Sequence, residues 1–145
     1  MSRVKIKFPD EKPLFLAIIP VRIGDVNYGG HVGNDAILSV IHEARMQMLA
    51  SFGVTELKVF GVGLIMADVA IAYKGESFYG DVLEVAIYPT EFNSSSFDLL
   101  YHITTLRNGA KTDIAHGKTG MVCFDYTSRT ITAIPAALKS VLQSV

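Results

Sequence analysis

Residues 24–34 read GDVNYGGHVGN and join an apolar strand to a long amphipathic helix, so this stretch, called the joint below, decides how the chain folds. It combines four glycines with the polar side chains of Asp25, Asn27 and His31. The first N–H groups of a helix have no partner within it, and the helix dipole is positive there. Such a start suits a carbonyl oxygen that gains negative charge, and glycine lets the backbone approach a ligand. The joint is therefore the predicted site of chemistry.

A helix is predicted directly after the joint, from Asp35 to Phe52. Asn34 is its expected N-cap, and Gly53 is expected to end it. Its buried face is indicated by apolar residues at helical spacing, namely Ile37, Val40, Ile41, Ala44 and Met48.

The rest of the chain has the pattern of strands. Asn108-Gly109 is typical of a tight hairpin turn, and Pro135 precedes a short helix predicted over residues 136–142. One long helix followed by consecutive strands predicts an α+β fold in a single domain over residues 1–145. The predicted strands are residues 14–23, 62–73, 82–88, 96–107 and 115–126, with residues 130–133 expected to extend the last.

Composition narrows the possible partners. Half of the 145 residues are hydrophobic and only 19% are charged, without an apolar run that could span a membrane. We interpret the high proportion of hydrophobic residues as the sign of a subunit interface. The net charge of −1 favours neither nucleic acid nor an anionic membrane surface. Cys123 is the single cysteine, so a buried thiol is expected rather than a disulfide, and without a continuous signal core the expected location is the cytoplasm.

The order of these motifs resembles the hotdog-fold thioesterases, most closely the group of 4-hydroxybenzoyl-CoA thioesterase and the related acyl-carrier-protein thioesterases. The resemblance covers about residues 14–142 and rests on Asp25, Asn27, Gly30-His31-Val32-Gly33-Asn34, Glu43-Ala44-Arg45 and the run from Tyr73 to Gly80-Asp81. It implies an antiparallel sheet wrapped around one long central helix, with a short C-terminal helix. It also implies a homodimer or homotetramer with shared sites, which cleaves acyl-CoA or acyl-carrier-protein thioesters without a cofactor of its own.

Thioester hydrolysis needs a polarised carbonyl, which the backbone amides near Gly33, Asn34 and Asp35 could supply. In the resembling group the carbonyl contact matches Asn34. The remaining joint residues Tyr28 and Gly30 are expected to contact the substrate.

The catalytic acid of the group aligns with Asn27, and this is a departure, because an amide cannot accept a proton at neutral pH. Asn27 can only orient water or donate to the carbonyl. Asp25 lies two residues away, but a hydrogen bond to the turn backbone is its expected role.

Glu76 offers a replacement base. The plant acyl-carrier-protein thioesterases have a catalytic Glu three residues after the same Tyr, and Glu76 lies three residues after Tyr73. Their His aligns with His31, which would hold the thioester or the water. If burial raised the pKa of Glu76, it could take a proton from water, across to the joint of another subunit. The alternatives are a solvated loop carboxylate for Glu76 and a backbone-bonded helix-entry residue for His31.

The thiol carrier is expected near Ser95 and Ser96, where the resembling enzyme binds the CoA nucleotide with a basic run. Residues 93–97 read NSSSF and lack that charge. The candidates to replace it are Lys74, Lys118, Arg107 and Lys111, unless the substrate is carried by a protein-bound pantetheine.

Three further features have weaker expectations. Asp68 interrupts an apolar strand and faces solvent, a partner subunit or the substrate pocket. Glu43 is expected to be a buried carboxylate bonded to a neighbouring segment. His42, His102 and His116 lack metal-ligand spacing, so no metal site is predicted.

Two rival functions remain. The chain could be a non-hydrolytic acyl binder, because Asn27 keeps the binding geometry without the acid. A hotdog dehydratase is the other, but its His-x-x-Gly-x-Pro context is absent.

Overall fold

The computed structural model describes residues 3–144, so residues 1, 2 and 145 of the predicted domain lie outside the described part. It contains two α-helices and six strands in the predicted α+β order. They are β1 (Phe15–Pro20), α1 (Asn34–Ser51), β2 (Gly63–Tyr73), β3 (Val82–Thr90), β4 (Ser96–Arg107), β5 (Ala110–Asp125), β6 (Thr130–Ile131) and α2 (Ala136–Leu142).

The strands form one antiparallel sheet in the order β1-β3-β4-β5-β2, with β6 paired to β5. Helix α1 covers one face of this sheet, here called the inner face. The helix buries the apolar residues predicted from its periodicity, namely Ile37, Val40, Ile41, Ala44 and Met48. Burying a side chain of this size contributes about 1.5–3 kcal/mol relative to exposure, so the apolar stripe fixes which side of the helix faces the sheet.

Ile41 of helix α1 packs against Gly117 on β5. A Cβ atom at this glycine would lie 2.7 Å from Cδ1 of Ile41. The absent side chain therefore leaves room for Ile41 on the inner face.

Several boundaries differ from the prediction, and residues 130–131 form a separate strand that pairs with β5 rather than extending it. The N-cap is Gly33 rather than Asn34, which is the first helical residue. Strand β5 begins at Ala110, five residues earlier than expected, because Asn108 and Gly109 adopt φ values of 51° and 81° and reverse the chain in two residues. Strand β1 is shorter than predicted because residues 23–25 form a 3-10 turn.

The sheet has two ends that matter for the site. At the joint end, the Val32 N–H donates to Ser77 O at 2.8 Å, and the Val21 N–H donates to Asp81 O at 3.0 Å. The far end contains the loop between β3 and β4. The strand β4 connects these two ends.

Cys123 is buried in the core, as expected. Burial raises the pKa of its thiol to about 11, so it stays protonated at neutral pH and cannot act as a nucleophile. Within residues 3–144, neither helix has the length and apolar character required to cross a bilayer.

Candidate active site

The joint is a tight turn closed by its own backbone. The Asn27 N–H donates to His31 O at 2.9 Å, and the Gly30 N–H donates to Asn27 O at 3.1 Å. Gly30 has a φ of 81°, which a residue with a side chain rarely adopts. This turn presents Asn27 and His31 just before the helix begins.

The helix start has two N–H groups without a partner. Gly33 is extended, and its carbonyl accepts hydrogen bonds from the N–H groups of Ala36 and Ile37 at 3.1 and 3.3 Å. Within residues 3–144, the N–H groups of Asn34 and Asp35 have no acceptor. The Gly33 amide is different, because it donates to Asp25 O at 3.0 Å. The expectation that Gly33 could bind a carbonyl oxygen is therefore wrong, and the available pair is Asn34 and Asp35.

Asn27 and His31 come together around Gly29. A Cβ atom at Gly29 would lie 3.2 Å from Nε2 of His31 and 3.3 Å from Oδ1 of Asn27. Oδ1 of Asn27 accepts a hydrogen bond from the Gly29 N–H at 2.9 Å, which leaves the Asn27 amide group to donate. The side chain of Tyr28 is fully exposed on the outside of this turn.

The hydrogen bond of His31 fixes its tautomer. Nδ1 lies 3.1 Å from the carbonyl oxygen of Val32. A carbonyl oxygen only accepts, so Nδ1 carries the proton, and Nε2 of the neutral ring has a free lone pair. His31 is half-buried. It is bonded to the backbone, as one alternative expected, and its other nitrogen can still accept a proton.

Asp25 lies in the 3-10 turn before the joint. Its Oδ2 accepts a hydrogen bond from the Arg22 N–H at 2.8 Å, and its Oδ1 lies 3.8 Å from the Arg22 guanidinium. The carboxylate therefore stabilises the local turn.

Glu76 is exposed, and the segment that contains it is hydrogen-bonded to the joint of the same chain through Ser77 and Val32. Arg107 holds this segment by donating to Glu76 O at 2.7 Å and to Oδ2 of Asp81 at 2.6 Å. Within residues 3–144, the Glu76 carboxylate has no hydrogen bond or ion pair. The burial on which its predicted role as a base depended is absent in this chain.

The cations expected to replace the missing basic run are mostly paired. Arg107 bonds to Asp81, Lys118 bonds to Asp68, and Nζ of Lys111 lies 3.9 Å from Glu84. In the part of the chain that the structure describes, Lys74 is the candidate without an ion pair. It follows β2 at the joint end.

Asp68 lies on β2 with its side chain 63% exposed. Its Oδ1 accepts hydrogen bonds from Nζ of Lys118 and from the Gly120 N–H, both at 2.9 Å. The Lys118 hydrogen bond lowers the pKa of Asp68. Lys118 belongs to the outer face of the sheet, opposite α1, so Asp68 does not contact the joint.

Ser95 and Ser96 lie at the far end of the sheet. The Cys123 N–H donates to Ser95 O at 2.9 Å, and Ser96 pairs with Val122. At ~3.3 Å per strand residue, the 12 residues of β4 separate them from the joint by about 36 Å. One chain therefore does not bring these serines to the joint.

The sequence did not reveal a groove between α1 and the edge strand β2. Two cavities, of about 350 and 520 Å³, meet at Leu38. The first begins at Asn34 and Asp35, and the second ends at His42, Arg45 and Glu56. Both have mainly apolar walls, formed by Leu38, Leu57, Ile65, Met66, Val69 and Ile71. We call the pair the α1–β2 groove.

A polar cluster around the buried Arg45 lies at the foot of the groove. Arg45 is only 4% exposed; its Nε donates to Glu56 at 2.8 Å and its Nη1 to the Tyr101 hydroxyl at 3.2 Å. Nε2 of His42 lies 2.8 Å from the other Glu56 oxygen. Burial alone lowers the pKa of Arg45, but Tyr101 and Glu56 raise it above its usual value, so the guanidinium stays charged.

The expectation for Glu43 is wrong. Glu43 is exposed and accepts a hydrogen bond from Gln47 at 3.0 Å. Arg45 is the buried charge because it lies four residues after Ile41, on the inner face of the helix. Glu43 instead lines a separate cavity of about 420 Å³ between α1 and β1.

His102 and His116 are not scattered. They lie together with Asp113 on the outer face of the sheet, and their ligand atoms are within 4.8 Å of one another. Within residues 3–144, this is the one group of His, Cys, Asp or Glu side chains close enough to hold a metal ion. The group faces away from α1.

Solved structures share this fold over nearly the whole chain. The PA2801 protein from Pseudomonas aeruginosa matches with a TM-score of 0.81 at 23% identity, covering 90% of this chain and 99% of that protein. A 1,4-dihydroxy-2-naphthoyl-CoA thioesterase from Synechocystis matches with a TM-score of 0.78 at 21% identity, covering 88% of this chain and 94% of that protein. The predicted hotdog fold is confirmed.

Sequence similarity extends over the same region. The 1,4-dihydroxy-2-naphthoyl-CoA hydrolase of Synechococcus elongatus is 27% identical over 128 residues, which cover 85% of this chain and 90% of that protein. The sequence profile of the thioesterase-like superfamily matches residues 21–142, from just before the joint to the end of α2. These two similarities confirm the predicted enzyme class, a thioester hydrolase. The chain belongs to the thioesterase-like superfamily.

Proposed function

We propose that this protein hydrolyses acyl-CoA thioesters at the joint, with the acyl group in the α1–β2 groove. The observation that carries the proposal is the pair of N–H groups on Asn34 and Asp35, which have no acceptor among residues 3–144. They lie at the head of a mainly apolar groove and follow Asn27 and His31 directly in the chain. A polarising helix start beside a proton acceptor and an acyl-sized groove is what thioester cleavage requires.

In the proposed mechanism, the thioester oxygen accepts hydrogen bonds from the Asn34 and Asp35 N–H groups. The amide group of Asn27 donates to the attacking water. Nε2 of His31 takes a proton from this water as the oxygen attacks the carbonyl carbon. The C–S bond then breaks, the acid leaves, and the thiolate takes the proton back from His31. This assigns proton transfer to His31 rather than to Glu76, because His31 is half-buried at the joint and Glu76 is exposed.

A second copy of the chain would complete the site. Strand β2 is an edge of the sheet, and its side chains Ile65, Met66 and Val69 are 37–40% exposed. A long apolar edge strand is a template for pairing with another chain. In a two-fold dimer with antiparallel β2 strands, the far end of one sheet lies beside the joint end of the other. The partner copy would thereby bring its Ser95 and Ser96 toward the thiol carrier, which one chain cannot do.

The foot of the groove favours an acyl group with a polar end. His42 and Glu56 lie, with Ser39 and Arg45, among the polar residues that an acyl group extending from Asn34 along α1 would reach after Leu38. A buried hydroxyl needs a hydrogen-bond partner, and this pair can supply one. We therefore propose a hydroxylated aromatic acyl-CoA as the substrate class, in line with the relatives named as 1,4-dihydroxy-2-naphthoyl-CoA hydrolases.

The test measures thiol release from a panel of thioesters at equal concentrations. It compares 4-hydroxybenzoyl-CoA and a hydroxynaphthoyl-CoA with benzoyl-CoA, octanoyl-CoA and an acyl-carrier protein. We expect kcat/KM for the hydroxylated aromatic CoA esters to exceed that for benzoyl-CoA at least ~10-fold, since a site built for a hydroxyl rejects its absence. Equal rates on all members would contradict the substrate class, and no release from any member would contradict hydrolysis.

Asn27 supports a second candidate, a non-hydrolytic acyl-thioester binder. The Asn27→Asp variant discriminates between the two, because a carboxylate oxygen can accept the Gly29 N–H bond and preserve the turn. We expect the wild-type protein to hydrolyse acyl-CoA without this substitution. If instead only Asn27→Asp releases thiol, while both proteins show the same thermal shift with acyl-CoA, the chain is a binder.

A further inference from the structure

The outer face of the sheet carries a cluster of His102, Asp113 and His116. His102 on β4 and His116 on β5 are direct cross-strand partners. Side chains three residues apart on a regular strand point to opposite faces, so Asp113 should not share a face with His116. The register shifts between Ile103 and Thr104, however, and Ile114 is the extra residue of this bulge. The bulge turns Asp113 to the outer face beside both imidazoles.

The three side chains converge on a small volume. Nε2 of His102 lies 2.6 Å from Oδ1 of Asp113, and Nε2 of His116 lies 3.2 Å from its Oδ2. The two imidazole rings are nearly perpendicular, at 88°, with centroids 4.9 Å apart. A carboxylate only accepts, so both Nε2 atoms carry protons in this arrangement. Both rings therefore direct the same ligating nitrogen toward one anion.

The aromatic ring of Phe8 orders the cluster. It stacks on His102 at 4.6 Å and 12° and meets His116 edge-on at 5.0 Å and 81°. Phe8 also contacts Tyr88, with the two ring centroids 5.5 Å apart. The side chains of His102, Asp113 and His116 remain 31%, 49% and 16% exposed. The rings are thus held in place, while one side stays open to an ion and its water ligands.

We propose that His102, Asp113 and His116 bind a divalent transition-metal ion, with Zn²⁺ as the preferred ion. Two imidazole nitrogens and one carboxylate oxygen suit Zn²⁺, whereas Mg²⁺ and Ca²⁺ prefer oxygen ligands alone. Tetrahedral Zn²⁺ with bonds of ~2.0–2.1 Å separates its ligand atoms by about 3.3 Å. Nε2 of His102 lies 2.6 Å from Oδ1 of Asp113, and Nε2 of His116 lies 3.2 Å from Oδ2. Rotation of the exposed Asp113 carboxylate must therefore bring one of its oxygens to about 3.3 Å from both nitrogens. On binding, each neutral ring changes tautomer: Nε2 releases its proton to water and Nδ1 takes one up, so that the Nε2 lone pair ligates the ion with no net loss of protons.

This site is independent of the proposed hydrolysis. It joins β4 to β5 on the face of the sheet opposite α1 and the joint. Zinc binding is expected to stabilise the fold rather than to take part in thioester cleavage.

The test uses the full chain, dialysed against a chelator and then against chelator-free buffer. Zn²⁺ is titrated in a calorimeter, and Co²⁺ is titrated with its visible absorption as the readout of coordination geometry. We expect saturation at one ion per chain and a melting temperature that rises with Zn²⁺ concentration. Asp113→Asn and His116→Gln should each weaken Zn²⁺ binding at least ~10-fold.

His42→Gln is the matched control, because His42 also pairs with a carboxylate, that of Glu56. The affinity of the His42→Gln variant for Zn²⁺ should equal that of the wild-type protein. Circular dichroism of the metal-free variants separates loss of binding from loss of fold. The proposal is overturned if wild-type protein shows no saturable binding, if Asp113→Asn and His116→Gln bind as tightly as wild type, or if only His42→Gln loses affinity. The first result would mean that the cluster binds protons alone.

Discussion

Replacing His31 by glutamine is expected to lower kcat for thioester hydrolysis by about 10²–10⁴-fold, the usual contribution of a positioned general base. Glutamine can still donate to the Val32 carbonyl, as Nδ1 of His31 does at 3.1 Å. It cannot accept a proton from water at neutral pH, so the chemical step is lost while the turn remains. The measurement is steady-state thiol release with the best substrate of the panel, together with KM.

Two controls sharpen the His31 prediction. Tyr28→Phe alters an exposed neighbour in the same turn and should keep kcat within a factor of about two, since exposed groups contribute little. Glu76→Gln tests the base favoured by the sequence and should likewise retain most of the activity. Full turnover in His31→Gln, or a collapse of turnover in Glu76→Gln alone, would show that proton transfer belongs elsewhere.

The variant Arg45→Met is expected to destabilise the protein by about 3–5 kcal/mol, because one member of a buried ion pair is removed. Arg45 is 4% exposed and donates to both Glu56 and the Tyr101 hydroxyl. Methionine fills a similar volume but leaves the Glu56 oxygen without its guanidinium partner. The melting temperature should fall by about 10 °C in a domain of this size. Urea denaturation followed by circular dichroism gives the free energy of unfolding directly.

A surface ion pair provides the comparison for Arg45. Lys111 is 67% exposed and lies 3.9 Å from Glu84. Lys111→Met should change the free energy of unfolding by at most about 0.5 kcal/mol, because exposed pairs are screened by water and salt. If the two variants unfold at the same urea concentration, the buried cluster contributes no more than a surface pair.

The fold could be predicted because its decisive signals are local. The apolar stripe of α1 has the helical period, and Asn108-Gly109 has the chemistry that a two-residue hairpin requires. The joint was predicted for the same reason, since its glycines and the start of the helix are adjacent in sequence. The sequence did not reveal which of these amides are already hydrogen-bonded. The Gly33 N–H donates to Asp25 O, and this contact depends on the folded turn.

The parts that sequence reasoning missed depend on register. Asp68 points to the outer face because it follows a register shift between Met66 and Asp68, and Asp113 joins the two histidines because of the bulge at Ile114. One inserted residue reverses which face every later side chain occupies. The distance between the joint and Ser95 is likewise a property of the strand path. The signal that could have found Arg45 was its position four residues after Ile41.

Gly117 has a consequence for how this protein can change over time. Because its missing Cβ lets Ile41 rest against the sheet, the permitted volumes at positions 117 and 41 depend on each other. Alanine at 117 requires Cδ1 of Ile41 to rotate away, and a still larger residue also requires position 41 to shrink or the helix to lift. A lifted helix would carry its first turn with it, so a substitution in the middle of the sheet could silence chemistry at the edge. The residues at positions 41 and 117 should therefore covary in volume among related proteins that keep the same activity.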